Sequence, residues 1–198
     1  MATSKIQIWN MALSRIGVKD FIIGENEASD EASVMNIHYD EAVRKTLTDF
    51  PWPFARGYFI LNLVEERPNG DWAFSYRYPS VAMRIRRILR PEVGFRDADP
   101  PPFVIGGDDT ARLVYTNREQ AEVEITRPIL DVAKFSEQFT DVLAWYLAWQ
   151  SAPSLARIPN AVQSAQSGYL IAASNARVVD ANEVQQEEPH EAEWIQER

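Results

Sequence analysis

The residues able to do chemistry in this 198-residue chain are few in kind and scattered. Cysteine is absent, which excludes disulfides and thiolate nucleophiles and fits a cytosolic origin. The two histidines, His38 and His190, stand in no His-Glu-x-x-His pattern, and a serine elbow, a Walker loop and a dinucleotide fingerprint are missing too. Asp108-Asp109 follows Gly106-Gly107, and a carboxylate pair after glycines can hold a divalent metal. No third carboxylate stands nearby at a ligand spacing, so the four residues read as a hairpin turn. Carboxylates are otherwise plentiful, but a glycosidase-like pair needs a cleft before it can be named. Residue types and spacing therefore nominate no catalytic residue, no metal ligand and no cofactor, and the chain reads as a protein that is not an enzyme.

Binding chemistry is better represented. Arg84-Ile85-Arg86-Arg87-Ile88-Leu89-Arg90 is the most basic stretch. Arginines spaced along a strand pair with carboxylates or present a solvated face. Contact with nucleic acid is the lesser reading, because the flanking chain is acidic. Arg84, Arg86 and Arg87 are thus expected to face protein carboxylates, within the subunit or on a neighbour. Trp72, Phe74, Tyr76 and Tyr78 alternate with smaller or polar residues, so one strand face is aromatic. That face reads as core or interface; a base-stacking platform would need a basic groove beside it.

These residues must be positioned by a corner. Phe50-Pro51-Trp52-Pro53-Phe54 stands where a helical period gives way to a period of two. The two prolines cannot continue a helix and bias their predecessors toward extended backbone. Phe50, Trp52 and Phe54 are expected to fix a helical layer against a sheet by burying aromatics into each.

Around the corner the chain reads as α+β: a four-helix bundle with an antiparallel β extension inserted between the second and third helices, plus an acidic C-terminal tail. The helices are expected at about 4–17, 29–49, 131–152 and 159–180, and the β section at about 57–128. Thr3 or Ser4 and Ser29 or Asp30 supply N-caps, and Gly17 suits a helix end. Tyr58 to Val64 reads as one strand, Pro153 as lying beyond the third helix, and Pro159 as the first turn of the fourth. Residues 1–180 form one domain in this reading.

Net charge is −9. Seven carboxylates from Asp180 onward against Arg198 supply six of those nine charges, so the remainder is close to neutral. Such a balance argues against a protein that grips DNA through its phosphates. No apolar run approaches the ~20 residues of a membrane-spanning helix, and no signal peptide is seen. Residues 181–198 are too polar to build a core and are expected to be disordered in a free monomer. Val184, Trp194 and Ile195 are almost their only large apolar side chains, and Arg198 ends the chain beside its carboxylate.

The ordered series Trp9-Asn10-Met11-Ala12-Leu13, Ile16-Gly17, Arg44, Leu47, Phe50-Pro51-Trp52-Pro53-Phe54-Ala55, then Trp72, Phe74, Tyr76, Tyr78 and Pro79, resembles the tail tubular protein A family of short-tailed phages. The resemblance covers about the first 90 residues well and the C-terminal helices more loosely. It implies a structural virion protein made in the host cytoplasm, a head-to-tail adaptor at the head–tail junction. Copies would form a ring, a dodecamer, beneath the portal protein and above a tail nozzle or tail tubular protein. Double-stranded DNA would pass through without specific binding, and no membrane is involved. The resemblance also implies that the C-terminal tail, through Val184, Trp194, Ile195 and Arg198, docks on the portal. Two other functions fit the residues: a small carboxylate-based hydrolase or sugar-binding tail protein, and a nucleic-acid-binding assembly factor using the arginine strand.

Overall fold

The computed structural model describes residues 4–89, 100–107 and 110–184. Helix α1, Lys5–Arg15, starts at Ser4, whose hydroxyl accepts from the Gln7 N–H. It ends in a Schellman motif: the Val18 N–H donates to the Leu13 carbonyl and the Gly17 N–H to that of Ser14. Gly17 holds φ +81°, and a side chain there would strike Ile158. Helix α2, Asp30–Asp49, is capped by Ser29 and carries Asp30 and Glu31 in its first turn, as its dipole favours.

Helix α3, Glu137–Leu155, is capped by Ser136 and lies at the centre of the helical layer, in contact with α1, α2 and helix α4, Ala161–Val184. Its buried residues, from Phe139 through Leu147 to Ala152, occupy more than one face, as a surrounded helix requires. Ala161, Ala165, Ala172 and Ala176 form the buried side of α4, with Gly168 in the same stripe. A Cβ at Gly168 would lie 2.5–2.6 Å from ring carbons of Trp145 on α3. Gly168→Ala is therefore expected to lower the melting temperature, although alanine is the better helix former by about 1 kcal/mol. Overpacking of about 1–3 kcal/mol outweighs that gain. A calorimetric scan showing a higher melting temperature would mean that the Trp145 ring yields freely.

Seven strands lie between α2 and α3 among the described residues, and they form two antiparallel sheets. Strands β1 (Arg56–Ile60), β4 (Arg84–Ile88) and β7 (Glu122–Thr126) make one, in the order β1-β7-β4. Strands β2 (Leu63–Glu66), β3 (Phe74–Arg77), β5 (Phe103–Gly107) and β6 (Arg112–Thr116) make the other, in the order β2-β3-β6-β5. Both contribute to one hydrophobic cluster, with Tyr76 and Val114 from one sheet and Ile85, Ile88, Val123 and Ile125 from the other.

The expected helix bundle with a single antiparallel insert is thus corrected. The protein is a mixed α+β fold whose two sheets enclose a core separate from that of the helices. The reason lies at Leu61-Asn62, inside the stretch that reads as one strand. The Leu61 N–H donates to Ala121 beside β7, the Asn62 carbonyl accepts from Arg77 on β3, and the buried Leu61 side chain enters the β core. The chain changes sheets there with Asn62 as the one turn-prone residue and neither glycine nor proline to mark the break.

Smaller expectations change as well. Gly106 and Gly107 belong to β5, where they pair with Leu113 and Arg112 of β6, and Tyr115 lies over Gly106. Phe135 precedes α3, and Pro153 lies inside its last turn. Pro159 and Asn160 form a turn before α4, with Asn160 at φ 58°. Helix α4 continues to Val184, four residues past the expected end.

Candidate functional site

The corner and the arginine strand meet at one place, the C-terminal end of α2. A helix leaves its last four carbonyls without partners, and α2 has no basic residue in its last turn. Trp52 Nε1 donates to the Thr46 carbonyl at 2.7 Å. Arg86 Nη2 donates to the Leu47 carbonyl at 3.0 Å and to that of Phe50 at 2.8 Å. Arg84 Nη1 donates to the Thr48 carbonyl at 3.0 Å. Three of the four orphan carbonyls are thereby met from outside the helix, two of them by cations that its dipole favours.

The aromatics of the corner pack on the helices. Trp52 is 4% exposed. Its ring meets Phe139 edge to face at 5.1 Å and Phe50 at 5.0 Å, while Phe54 contacts Phe139 at 5.1 Å and Phe135 at 5.9 Å. Phe50 and Phe54 are half-buried against the same cluster. All three aromatics therefore belong to the helical core, where one in each layer was expected. The corner is bonded to the sheet through its backbone carbonyls, that of Phe50 accepting from Arg86 and that of Ala55 from the Arg127 N–H after β7.

The arginines are aimed by a bulge. Ile85 pairs with Ile125 and Arg87 with Glu124, so Arg86 is the extra residue of β4. Ile85 and Ile88, three apart, could not both face the core of a regular strand; the bulge buries both and turns Arg86 toward α2. Arg86 Nε also donates to Thr126 Oγ1 at 2.7 Å. Burial, helped by the Arg84 charge, lowers the Arg86 guanidinium to about 10, so it stays charged at neutral pH.

Arg87 pairs with Glu124 at 3.0 Å, and Arg56 approaches the other carboxylate oxygen at 3.3 Å. Glu124, 5% exposed, is the buried carboxylate among the described residues. Flanked by two guanidiniums, it is a neutralised structural charge. Of the arginines expected to meet carboxylates, Arg87 does so within the subunit, whereas Arg84 and Arg86 meet carbonyls.

A second group ties α4 to the same helix end. The Tyr169 hydroxyl donates to Asp49 Oδ2 at 2.9 Å, and its ring stacks on Trp149 at 5.9 Å beside Tyr146. Burial first, and then the Asp49 hydrogen bond, raise the Tyr169 hydroxyl to about 12. Sequence reading missed Glu124, Arg56 and this tyrosine. The three-residue spacing of Ile85 and Ile88 was a visible sign of the bulge, since it breaks a period of two.

Beside the corner, Trp52, Pro53, Phe54, Ser136, Gln138, Ala176 and Val179 line a cleft of about 150 Å³. That is below the roughly 300–1,000 Å³ of sites that enclose a small-molecule ligand. His38 is half-buried on α2. His190, Asp108 and Asp109 lie outside the described residues, as do Trp194, Ile195 and Arg198 of the expected docking tail. Val184 is the last residue of α4. Among the described residues no cluster of three potential metal ligands occurs, and no helix is long and apolar enough to cross a membrane.

Large apolar side chains remain in water at several places. Leu170, Ile171 and Val178 stand out from α4, Tyr58 and Ile60 from β1, Leu63 and Val64 from β2, and Val104 and Ile105 from β5. No protein-family model matches this chain, and no curated protein matches it.

Proposed function

We propose that this protein is a structural virion component, a head-to-tail adaptor whose copies form a ring, a dodecamer, beneath the portal. It makes part of the conduit for DNA and performs no catalysis. The observation that carries this reading is the set of exposed apolar residues on sheet edges and on α4, held by a rigid joint. Apolar side chains left in water along edge strands and one helix suit faces that other chains cover. The joint suits the role. The end of α2 is clamped by Trp52, Arg84 and Arg86, so the helical and β layers keep one angle from copy to copy. Identical heterologous contacts close a ring only if that angle is constant.

A net charge of −9 leaves little to hold a phosphate backbone, so DNA slides through without specific binding. The C-terminal segment, with Trp194 and Ile195 as an apolar anchor among carboxylates, docks on the portal protein. A nozzle or tail tubular protein binds the opposite rim. The nucleic-acid reading of the arginine strand loses ground, because Arg84, Arg86 and Arg87 are engaged within the subunit.

The test uses the full chain and purified portal protein. Co-sedimentation should give a complex holding one ring of this protein, and a particle reconstruction should place the chain between portal and nozzle. Deleting residues 185–198, or changing Trp194→Ala, is expected to leave the melting temperature unchanged and to abolish portal binding. Unchanged affinity in the deletion variant would remove the docking role of the tail.

A further inference from the structure

The edges of the two sheets are treated differently. The β4 edge carries three arginines and a bulge, and Arg84 and Arg86 bond to the end of α2, features that disfavour pairing with another strand. Among the described residues the β5 edge of the four-stranded sheet has no such protection. Its residues, Phe103-Val104-Ile105-Gly106-Gly107, carry no charge, and Val104 and Ile105 are 49% and 39% exposed. The opposite edge, β2, is exposed at every residue, with Leu63 at 50%.

One lateral row joins these edges. Leu63 pairs with Tyr76, Tyr76 with Val114, and Val114 with Ile105, so the four side chains share a face. The two central members are buried, and the row ends in water on both sides with an aliphatic residue. Strand direction alternates across the sheet, and the number of strands is even. A neighbouring copy in the same orientation can therefore set its β2 antiparallel to β5. The sheet and its apolar row then continue from one copy into the next.

We infer that β5 of one copy pairs with β2 of the next, with Ile105 beside Leu63 of the neighbour, and that this contact propagates the ring. The inference rests on the ring reading above and names the surfaces that close it. Antiparallel pairing of β2 with a second β2 would set Leu63 opposite Glu66 and Val64 opposite Glu65, so the apolar row would not continue. Pairing of β5 with β5 would stop at a dimer and leave both Leu63 ends in water.

The chain has no cysteine, so introduced thiols report only the contact being tested. Full-length protein carrying Leu63→Cys and Ile105→Cys is treated with a short bismaleimide and run on a denaturing gel, with native mass measured in parallel. Both side chains are half in solvent, so the changes leave the fold intact. A ladder of dimer, trimer and higher species is expected from the double variant, and none from either single variant. Dimers from Ile105→Cys alone would overturn the inference in favour of β5 pairing with itself. Rings without a ladder would overturn it while leaving the adaptor reading in place. A ladder from open filaments that never close would uphold the edge pairing and remove the ring.

Discussion

Replacing Trp52 with alanine is expected to cost about 3–5 kcal/mol of unfolding free energy, the range for large aromatic residues removed from a core. Trp52 loses more than area. Its ring is the shared neighbour of Phe50 and Phe139, and its indole N–H holds a carbonyl at the end of α2. Alanine would leave a void among packed rings and return the Thr46 carbonyl to a buried site without its partner. The half-buried Phe50 should cost less when truncated, because part of its surface already meets water. Urea denaturation of both variants measures the difference, and an unchanged slope would confirm that the loss is in the folded state. If Trp52→Ala unfolded at the same urea concentration as the parent, the corner would not be what organises the fold.

Arg86→Ala is expected to cost about 2–4 kcal/mol, through charge-assisted hydrogen bonds lost and acceptors left unpaired at the joint. The guanidinium reaches Thr126 on β7 and two carbonyls at the end of α2 at once, so one side chain binds the β section to the helical layer. Lysine keeps the charge but has no planar fork to serve both directions, so Arg86→Lys should recover less than half of the loss. The same variants separate two roles. If the arginine acts within the subunit, both should lower stability measured on dilute monomer. A loss seen only in assembly, with monomer stability unchanged, would move Arg86 to a contact between copies. Hydrogen exchange should localise the effect, with faster exchange at the end of α2 and in β4.

The sequence determined whatever depends on neighbours along the chain. Helix starts at Ser4 and Ser29 follow from hydroxyls placed to meet an N–H three residues on, whereas α3 starts at Ser136, later than the 131 expected from its apolar period. The end of α1 follows from Gly17, which takes a backbone conformation costly to other residues. The Pro-Trp-Pro corner was legible because two prolines forbid helix there and three aromatics so close together must find a core.

The tertiary structure alone decided how the β section divides. Strands β1 and β2 are separated only by Leu61-Asn62, yet β1 pairs with β7 far along the chain and β2 with the next strand, β3. Strand pairing leaves little local mark unless turn residues stand at the break, and Leu61-Asn62 offers a single asparagine with neither glycine nor proline. The same holds for the arginines. Their charge predicts a partner, but carboxylates and carbonyls are both acceptors, and a one-residue bulge set by the burial of Ile85 and Ile88 made the choice. Glu124 is an ordinary strand carboxylate in the sequence. It became a buried charge between Arg56 and Arg87 only when β7 settled between β1 and β4.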